Sequence, residues 1–281
     1  MLLLTDETVL NAITPWEQVT IANGLMFRLV MNKPDICKKL LERLLDIKIK
    51  HIEVPDFEKD FRVNGTSKGI RTDVYIEDMD GTAVIVELQA MNLNREMLGR
   101  RSRYYQGITD VARLPKGWTY ATLPKSYIIF ICTFDPYGQG RSKYTFSNLC
   151  HEDKQLAMAD DAYKIFFNAK GSMKGITKAQ QNFLEYVQNG HISDDFTQEL
   201  DEAVKEMKFN DRKRGIYMIW SQELLLQKEE GLKEGLKEGR KEGFLQAFIS
   251  MVKKNKMTKE EAALEAGVSV AELEKAMLSL S

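Results

Sequence analysis

Histidine and cysteine are scarce in this chain, and their scarcity excludes several kinds of site. The 281 residues include three of each, and Cys37, Cys132 and Cys150 have neither CxxC nor other metal-ligand spacing. A structural zinc site usually needs four closely spaced cysteines or histidines, so none is expected. An odd number of unspaced cysteines suits reduced, mostly buried thiols, and we therefore expect a cytoplasmic protein.

Long hydrophobic runs and an excess of one charge sign are also lacking. No apolar run approaches the ~18 residues of a membrane span, and the opening MLLL is too short for a secretory leader, so no membrane association is expected. The formal net charge is -1, so any nucleic-acid site must be a local basic patch. The chain is long enough for one substantial core plus an appendage.

The stretch 69–89, GIRTDVYIEDMDGTAVIVELQ, predicts two strands joined by a tight turn. The strands run over 70–78 and 82–89, and Met79–Gly81 fits a three-residue loop that needs Gly81 in the left-handed conformation. This loop places Asp73 opposite Glu87 and Arg71 opposite Gln89, and side chains alternate faces along a strand. The residues expected on one face are Arg71, Asp73, Glu87 and Gln89.

Two carboxylates directly opposed on neighbouring strands repel each other unless something neutralises them. A divalent cation does so in many proteins, because carboxylate and carbonyl oxygens suit Mg²⁺ and Mn²⁺. The alternative is that Arg71 pairs with both acids on a solvated face of the sheet. Spacing alone leaves both readings open.

Asp73, a hairpin and then Glu87-Leu88-Gln89 resemble the D…ExK signature of the PD-(D/E)XK nuclease superfamily, with Gln89 where lysine is commoner. Other stretches resemble one branch of it, the Rpn family of recombination-promoting nucleases and transposases. In chain order they are NGLMFRLVMNKPDICKKLLERLL, the RTDVY…VELQ pair, RRSRYYQG and the glycine-lysine-glutamate tail. The resemblance covers most of the chain.

The resemblance implies a metal-dependent DNA endonuclease, using Mg²⁺ or Mn²⁺ and acting in recombination, a mobile element or phage defence. It assigns catalytic roles to Asp73, Glu87 and Gln89. It assigns the metal to Asp73, Glu87 and the carbonyl of Leu88. The motif lysine orients water or offsets developing charge; Gln89 carries no charge, and Arg71 is expected to fill part of that deficit. The alternatives are a catalytically inactive relative that binds DNA or a partner, and a regulator or assembly protein acting through its tail.

Two helices carry further candidates. Asn94 is expected to cap a helix to about Leu114 with four arginines within nine residues, and arginine forks match phosphate oxygens. This helix follows Gln89 directly, so it should lie near the acidic face, although a merely solvated face is the alternative. The residues predicted to bind DNA are Arg71, Arg100, Arg101, Arg103 and Tyr104. The resemblance also makes Glu42, by its position in an earlier helix, a candidate extra acid at the metal, and the alternative is a solvated helix residue.

The order of predicted elements is helix, strand (47–54), hairpin, helix and strand (127–134). With the resemblance, it predicts an α/β fold: a PD-(D/E)XK (restriction-endonuclease-like) core with a mixed central sheet flanked by helices, plus a helical C-terminal tail. We assign residues 1–228 to the nuclease-like domain, with its core at about 20–170 and a helical extension at 177–228.

The segment 229–243, EEGLKEGLKEGRKEG, repeats glycine every four residues. Each glycine costs a helix roughly 1 kcal/mol relative to alanine, so a frayed linker is expected, unless the glycine stripe admits a second helix. Residues 244–281 then predict a helical hairpin, with a capping box at Thr258 and Glu261. Its second helix carries few cations, whereas a helix that reads DNA is usually basic. The hairpin is therefore interpreted either as a helix-turn-helix or as an oligomerisation hairpin that gives a homo-oligomer.

Overall fold

The computed structural model describes residues 14–49, 60–61, 70–77 and 81–279, with the backbone alone at 60–61, 70–71 and 279. The described residues form two compact units, Thr14–Gly215 and 216–279. None of the described helices combines the length and the apolar character needed to cross a bilayer.

The first unit alternates helices with strands. In chain order its elements are α1 (Gly24–Met31), α2 (Pro34–Leu45), β1 (Asp60–Phe61), β2 (Ile70–Arg71), β3 (Val74–Glu77), β4 (Ala83–Gln89), α3 (Arg95–Arg113), β5 (Ser126–Cys132), β6 (Lys143–Phe146), β7 (Ala162–Asn168), α4 (Lys178–Asn189) and α5 (Asp195–Lys208).

Five strands form one mixed sheet in the order β3-β4-β5-β7-β6, and β1 pairs with β2 in a separate two-stranded sheet. The pairs β4–β5 and β5–β7 are parallel, whereas β3 and β6 are antiparallel edge strands. Every residue of β4 is buried, which is expected of a strand covered on both faces. The predicted α/β fold with a mixed sheet flanked by helices is therefore confirmed.

Helix α3 covers one face of this sheet. Its inward residues Leu98, Tyr105 and Ile108 form one buried cluster with residues of β3, β4, β5 and β7, among them Ile85 and Phe130. Helix α1 contacts β4 and α5, and α2 contacts α1, α4 and α5. The sheet is thus held between helical layers, and its inner strand β4 is covered on both faces.

The hairpin has the predicted register. Glu77 pairs with Ala83 and Val74 with Val86, so extension of the ladder by one residue sets Asp73 opposite Glu87. Gly81 has a φ of 79°, the left-handed conformation that the turn requires. The remaining loop residues, 78–80, lie outside the described residues.

The first strand of the hairpin is shorter than predicted. Instead of one strand over 70–78, β2 ends at Arg71 and β3 begins at Val74. The Cα partner of Arg71 is Asp60 in the small sheet, so the prediction that Arg71 lies opposite Gln89 is wrong. The ladder stops because side-chain carboxylates take over the backbone N–H groups of Asp73 and Leu88.

The strand predicted at 47–54 is not supported where it can be examined. Residues 47–49 have no strand conformation, and Ile49 is held by its N–H, which donates to the Glu42 carboxylate. Residues 50–54 lie outside the described residues. The cysteines were expected to be reduced and mostly buried, and Cys37 and Cys132 are buried free thiols.

The second unit is helical. Helix α6 (Asp211–Lys253) begins in the first unit and is followed by α7 (Lys259–Ala266) and α8 (Val270–Ser279). The capping box predicted at Thr258 and Glu261 is present, and Gly267 ends α7 with a φ of 66°. The repeat at 229–243 is continuous helix within α6, and 230–244 are exposed throughout, so the expected fraying is not observed.

Candidate active site

The two predicted acids meet at the point where the hairpin ladder ends. The backbone N–H of Asp73 donates to Glu87 Oε1 at 2.9 Å, and the N–H of Leu88 donates to Asp73 Oδ2, also at 2.9 Å. Each carboxylate is therefore fixed by the backbone of the opposite strand. This reciprocal arrangement holds the two negative groups beside one another without a free rotamer for either.

The pair lies near the carboxyl end of β4. That strand runs parallel to β5 and β7, and Gln89, Cys132 and Asn168 end the three strands at one level. In open α/β sheets ligands bind in the crevice beyond the carboxyl ends of the strands. Asp73 and Glu87 are thus placed at the edge where this class of sheet normally binds substrates.

Both carboxyl groups are poorly solvated. The Glu87 side chain is 4% exposed and that of Asp73 19%. Burial, followed by the negative charge of Asp73, raises the pKa of Glu87, while Arg101 opposes the rise. Burial also raises the pKa of Asp73 against the Leu88 N–H and the charges of Arg28 and Arg101. A further cation at this position would relieve the repulsion between the two acids.

Arg101, from α3, is the direct partner of Glu87. Its Nη2 lies 2.5 Å from Glu87 Oε2, and its Nη1 donates to Gln89 Oε1 at 2.8 Å. The guanidinium also donates to the hydroxyl of Tyr105 and lies against the rings of Tyr105 and Phe130, 5.0 and 5.5 Å from their centroids. Arg101 was predicted to bind DNA, but its guanidinium is turned into the acidic site.

Arg28, from α1, is the corresponding cation near Asp73. Its Nε lies 3.8 Å from Asp73 Oδ1, within ion-pair range, and its side chain is 13% exposed. Sequence reasoning missed Arg28 because a single arginine in an amphipathic helix carries no motif. The hydroxyl of Tyr105 was missed for a similar reason, since its spacing indicated only a core residue.

Gln89 is occupied at both ends of its side chain. Its Oε1 accepts from Arg101, and its Nε2 donates to the carbonyl of Met91 at 2.7 Å. The residue is 7% exposed. The carboxamide therefore serves here as a brace for the arginine, and it has little freedom to orient a water molecule.

The remaining predicted DNA contacts lie on the outer side of α3. Arg100 and Arg103 are exposed, and the Tyr104 side chain is partly exposed at 39%. Of Arg71 only the backbone is described, and it belongs to the small β1–β2 sheet. Helix α3 thus separates its arginines, with Arg101 in the acidic site and two others available to solvent.

Glu42 takes no part in this cluster. Its carboxylate accepts the N–H of Ile49 at 2.9 Å, on a surface that it shares with Lys48. Over the parts of the chain that are described, no three acidic, histidine or cysteine side chains gather as a metal site would need. Any ion here would depend on Asp73 and Glu87 as its carboxylate ligands.

That donor set fits Mg²⁺ or Mn²⁺. Mg²⁺ usually keeps several waters and binds proteins through only one or two carboxylates together with substrate phosphates. Asp73 and Glu87 provide two such groups, side by side and with raised pKa values. Glu87 would have to share its oxygens between the ion and Arg101.

Comparison with known proteins agrees with this geometry. A model of the family described as PD-(D/E)XK nuclease family transposase matches residues 25–219, more than half of the chain. The chain belongs to this family. Searches of curated proteins and of solved structures with this chain found no match. The family match spans the sheet, the Asp73–Glu87 pair and α3, and it supports a nuclease-like function for the first unit.

Proposed function

We propose that this protein is a metal-dependent DNA endonuclease that hydrolyses phosphodiester bonds. The observation that carries the proposal is the buried Asp73–Glu87 pair at the carboxyl edge of the parallel strands. Bound there, Mg²⁺ or Mn²⁺ would supply an activated water and stabilise charge on the scissile phosphate. The Leu88 carbonyl, between the two motif residues, is the proposed third oxygen ligand.

The substrate is proposed to lie along the outer side of α3. Arg100 and Arg103 are exposed there, one turn of helix apart, with Tyr104 beside them. Arginine contacts with phosphate give affinity without reading sequence. A role in recombination, in a mobile element or in phage defence fits a nuclease-type transposase family, and it is part of the proposal.

A second candidate function is a catalytically inactive member of the family that binds DNA or a partner. One observation favours it: Arg28 and Arg101 already compensate the charge of Asp73 and Glu87 without any ion. A protein that never bound a metal would need just such internal counter-charges. The two candidates differ in whether the purified protein cuts DNA when divalent metal is supplied.

The test is cleavage of supercoiled plasmid by the full chain with Mg²⁺, with Mn²⁺ and with EDTA. We expect nicked and linear products with metal and none with EDTA. Asp73→Asn and Glu87→Gln should abolish cleavage, since each removes a charge while keeping the shape of the side chain. Alanine is less suitable at Glu87, because it would leave the partly buried Arg101 guanidinium with no acceptor there, whereas glutamine keeps an amide oxygen.

The matched control is Glu202→Ala. Glu202 is an exposed carboxylate on α5, outside the Asp73–Glu87 site, that accepts a hydrogen bond from Gln198, so its loss should not change cleavage. Cleavage by wild type and both site variants alike would assign the activity to a contaminant. Absence of cleavage by wild type, with DNA binding retained, would select the inactive DNA-binding candidate.

A further inference from the structure

Position 89 presents an electrostatic problem for the proposed reaction. Negative charge builds up on the phosphate oxygens as water adds to phosphorus and the P–O bond to the leaving oxygen breaks. The D…ExK motif places a cation next to the acids, whereas Gln89 is neutral and is already bonded through both Oε1 and Nε2. The site therefore needs a cation from elsewhere in the chain.

Among the described side chains, two arginines reach the acids, and their surroundings differ. Arg28 lies at 3.8 Å from Asp73, and its side chain is 13% exposed. Arg101 contacts both motif positions directly, bonding Glu87 and Gln89 at once, yet its side chain is 32% exposed. Only Arg101 combines a fixed position at residue 89 with access to solvent, and hence to a bound phosphate.

The Arg101 guanidinium is also held rigidly. Tyr105, one turn further along α3, accepts from its Nε and Nη2 at 2.9 and 2.7 Å. The rings of Tyr105 and Phe130 lie against its plane. Preorganised donors of this kind cost little reorganisation during a reaction, which is what makes them effective in stabilising a transition state.

We propose that Arg101 supplies the positive charge that the motif lysine would otherwise provide, with Gln89 acting as the brace that positions it. This proposal rests on the proposed nuclease function. It gives to Arg101 the role that the sequence pattern suggested for Arg71, whose backbone pairs with Asp60 in the small sheet. Arg101 faces the scissile phosphate, whereas Arg100 and Arg103 bind phosphates further along the DNA.

The first experiment separates rate from affinity. Arg101→Gln should lower the cleavage rate at saturating DNA by about 10²–10³-fold, the usual effect of losing one preorganised donor to developing charge. DNA affinity, measured in EDTA, should change by less than about threefold, because the lost interaction belongs to the transition state. Arg100→Gln gives the contrast, since loss of a phosphate contact should weaken DNA affinity measured in EDTA. Arg101→Lys should recover part of the rate.

The second experiment moves the positive charge from Arg101 to position 89 of the motif. In the double variant Gln89→Lys with Arg101→Gln, a lysine returns to the motif while the arginine is removed. We expect the double variant to cleave at least tenfold faster than Arg101→Gln alone. A residue with only a structural role would not be rescued by charge placed at position 89. This variant also keeps a cation near Glu87, so it guards against simple failure to fold.

Binding of Mn²⁺, followed by calorimetry, gives a readout that does not depend on cleavage. Glu87→Gln should lose the ion, whereas Arg101→Gln should bind it at least as tightly as wild type, because a competing cation has gone. Loss of Mn²⁺ binding in Arg101→Gln would mean that the arginine merely holds Glu87 in place, and would overturn the proposal.

The outcomes are distinguishable from those for the nuclease function itself. A wild type that never cleaves removes the proposed function, and the role of Arg101 falls with it. A wild type that cleaves, with Asp73→Asn inactive and Arg101→Gln fully active, removes only the role of Arg101. The same holds if the double variant is no faster than Arg101→Gln.

Discussion

Each acid of the site has a cation of its own, and this pairing explains how two adjacent buried carboxylates are tolerated. Glu87 bonds Arg101, and Asp73 lies near Arg28. A buried ionised group without a partner costs several kcal/mol, so removing one member of such a pair is more harmful than replacing both. The two arginines therefore offset part of the repulsion between the acids without metal, while burial still raises the pKa of both carboxyl groups.

Restoring the commoner lysine at position 89 should destabilise the protein when it is the only change. Gln89→Lys would lose the bonds to Arg101 and Met91 and would place a second cation against the guanidinium. We expect a loss of about 1–3 kcal/mol in the free energy of unfolding, the usual cost of unsatisfied buried polar groups. Chemical denaturation in EDTA measures it, with the exposed substitution Gln198→Lys as control.

The motif alone leads to a different expectation for this substitution, one about activity. From the D…ExK pattern, Gln89→Lys would be expected to raise activity. With Arg101 in place, the site already has a cation next to the acids, and the Arg101 guanidinium would repel the added lysine ammonium. A Gln89→Lys protein as stable as wild type would mean that the Gln89–Arg101 bond contributes nothing.

Helix α3 places its arginines on two sides and at two ends. Arg101 enters the acidic site near the start of the helix, and Arg113 at its end pairs with Glu77 at 2.7 Å and with the hydroxyl of Tyr75. These contacts fix the helix across the sheet from the carboxyl end of β4 to its beginning. Arg100 and Arg103 lie on the exposed side of the helix, away from these contacts.

Replacing both Arg100 and Arg103 by alanine should weaken DNA binding equally for all sequences. Each phosphate contact that is lost reduces the slope of log K against log[salt] by about 0.9, so the double variant should lose up to roughly 1.8. Stability should barely change, because exposed arginines contribute little. The measurement is a salt titration of DNA affinity for both proteins. Parallel lines would mean that this side of α3 is merely solvated.

The glycine repeat allows a similarly direct test of α6. A Cβ added at Gly235 or Gly239 meets nothing within 4 Å, so alanine fits at either position. Each substitution should stabilise the helix by about 1 kcal/mol, seen as greater far-ultraviolet ellipticity and a higher melting temperature. Gly267→Ala is the control with the opposite sign, since its φ of 66° strains alanine.

The same two substitutions decide between the interpretations of the repeat. If the glycine stripe admits a second helix, as in a homo-oligomer, the added methyl groups would separate the helices. If Gly235→Ala lowers the molecular mass of the particle in solution, an oligomer has dissociated. That result would contradict the isolated helix and favour the oligomer. A gain in helix stability with unchanged mass favours a simple connecting helix.

At the scale of the whole molecule, the chain divides into a sheet-based unit and a small helical one. The core of the helical unit is only a few side chains: Ile249, Ala262, Ala263 and Leu273, with partly buried neighbours. Small cores supply little stability. The sheet-based unit has a much larger core, so the two units should differ in their resistance to local unfolding.

Leu273→Ala should unfold the helical hairpin while leaving the sheet intact. Leu273 is fully buried, and truncating a buried leucine typically costs 2–5 kcal/mol. Hydrogen exchange followed by mass spectrometry should show lost protection across 259–279 and unchanged protection in β4 and β5. Leu264→Ala is the control, since that side chain is 81% exposed and its loss should have little effect. Lost protection in β4 as well would contradict independent unfolding.

Much of the fold could be predicted because its signals are local. Alternation of side chains and one turn glycine were enough to set Asp73 opposite Glu87, and the apolar stretch at 127–134 indicated the buried strand β5. The spacing of Thr258 and Glu261 alone predicted the start of a helix. Where a prediction failed, as at Arg71, pairing with β1 had interrupted a strand pattern that looked continuous.

The sequence by itself determined the hairpin register and the pair of opposed acids, since these follow from periodicities of a few residues. The α/β class followed from the order of predicted elements together with the family resemblance. The direction in which each arginine points was decided only by the tertiary structure. Arg100 and Arg101 are neighbours of one type, and 100° of helical rotation sends one to solvent and the other to Glu87. Arg28 reaches Asp73 because packing brings α1 against β4, a contact that no local pattern encodes.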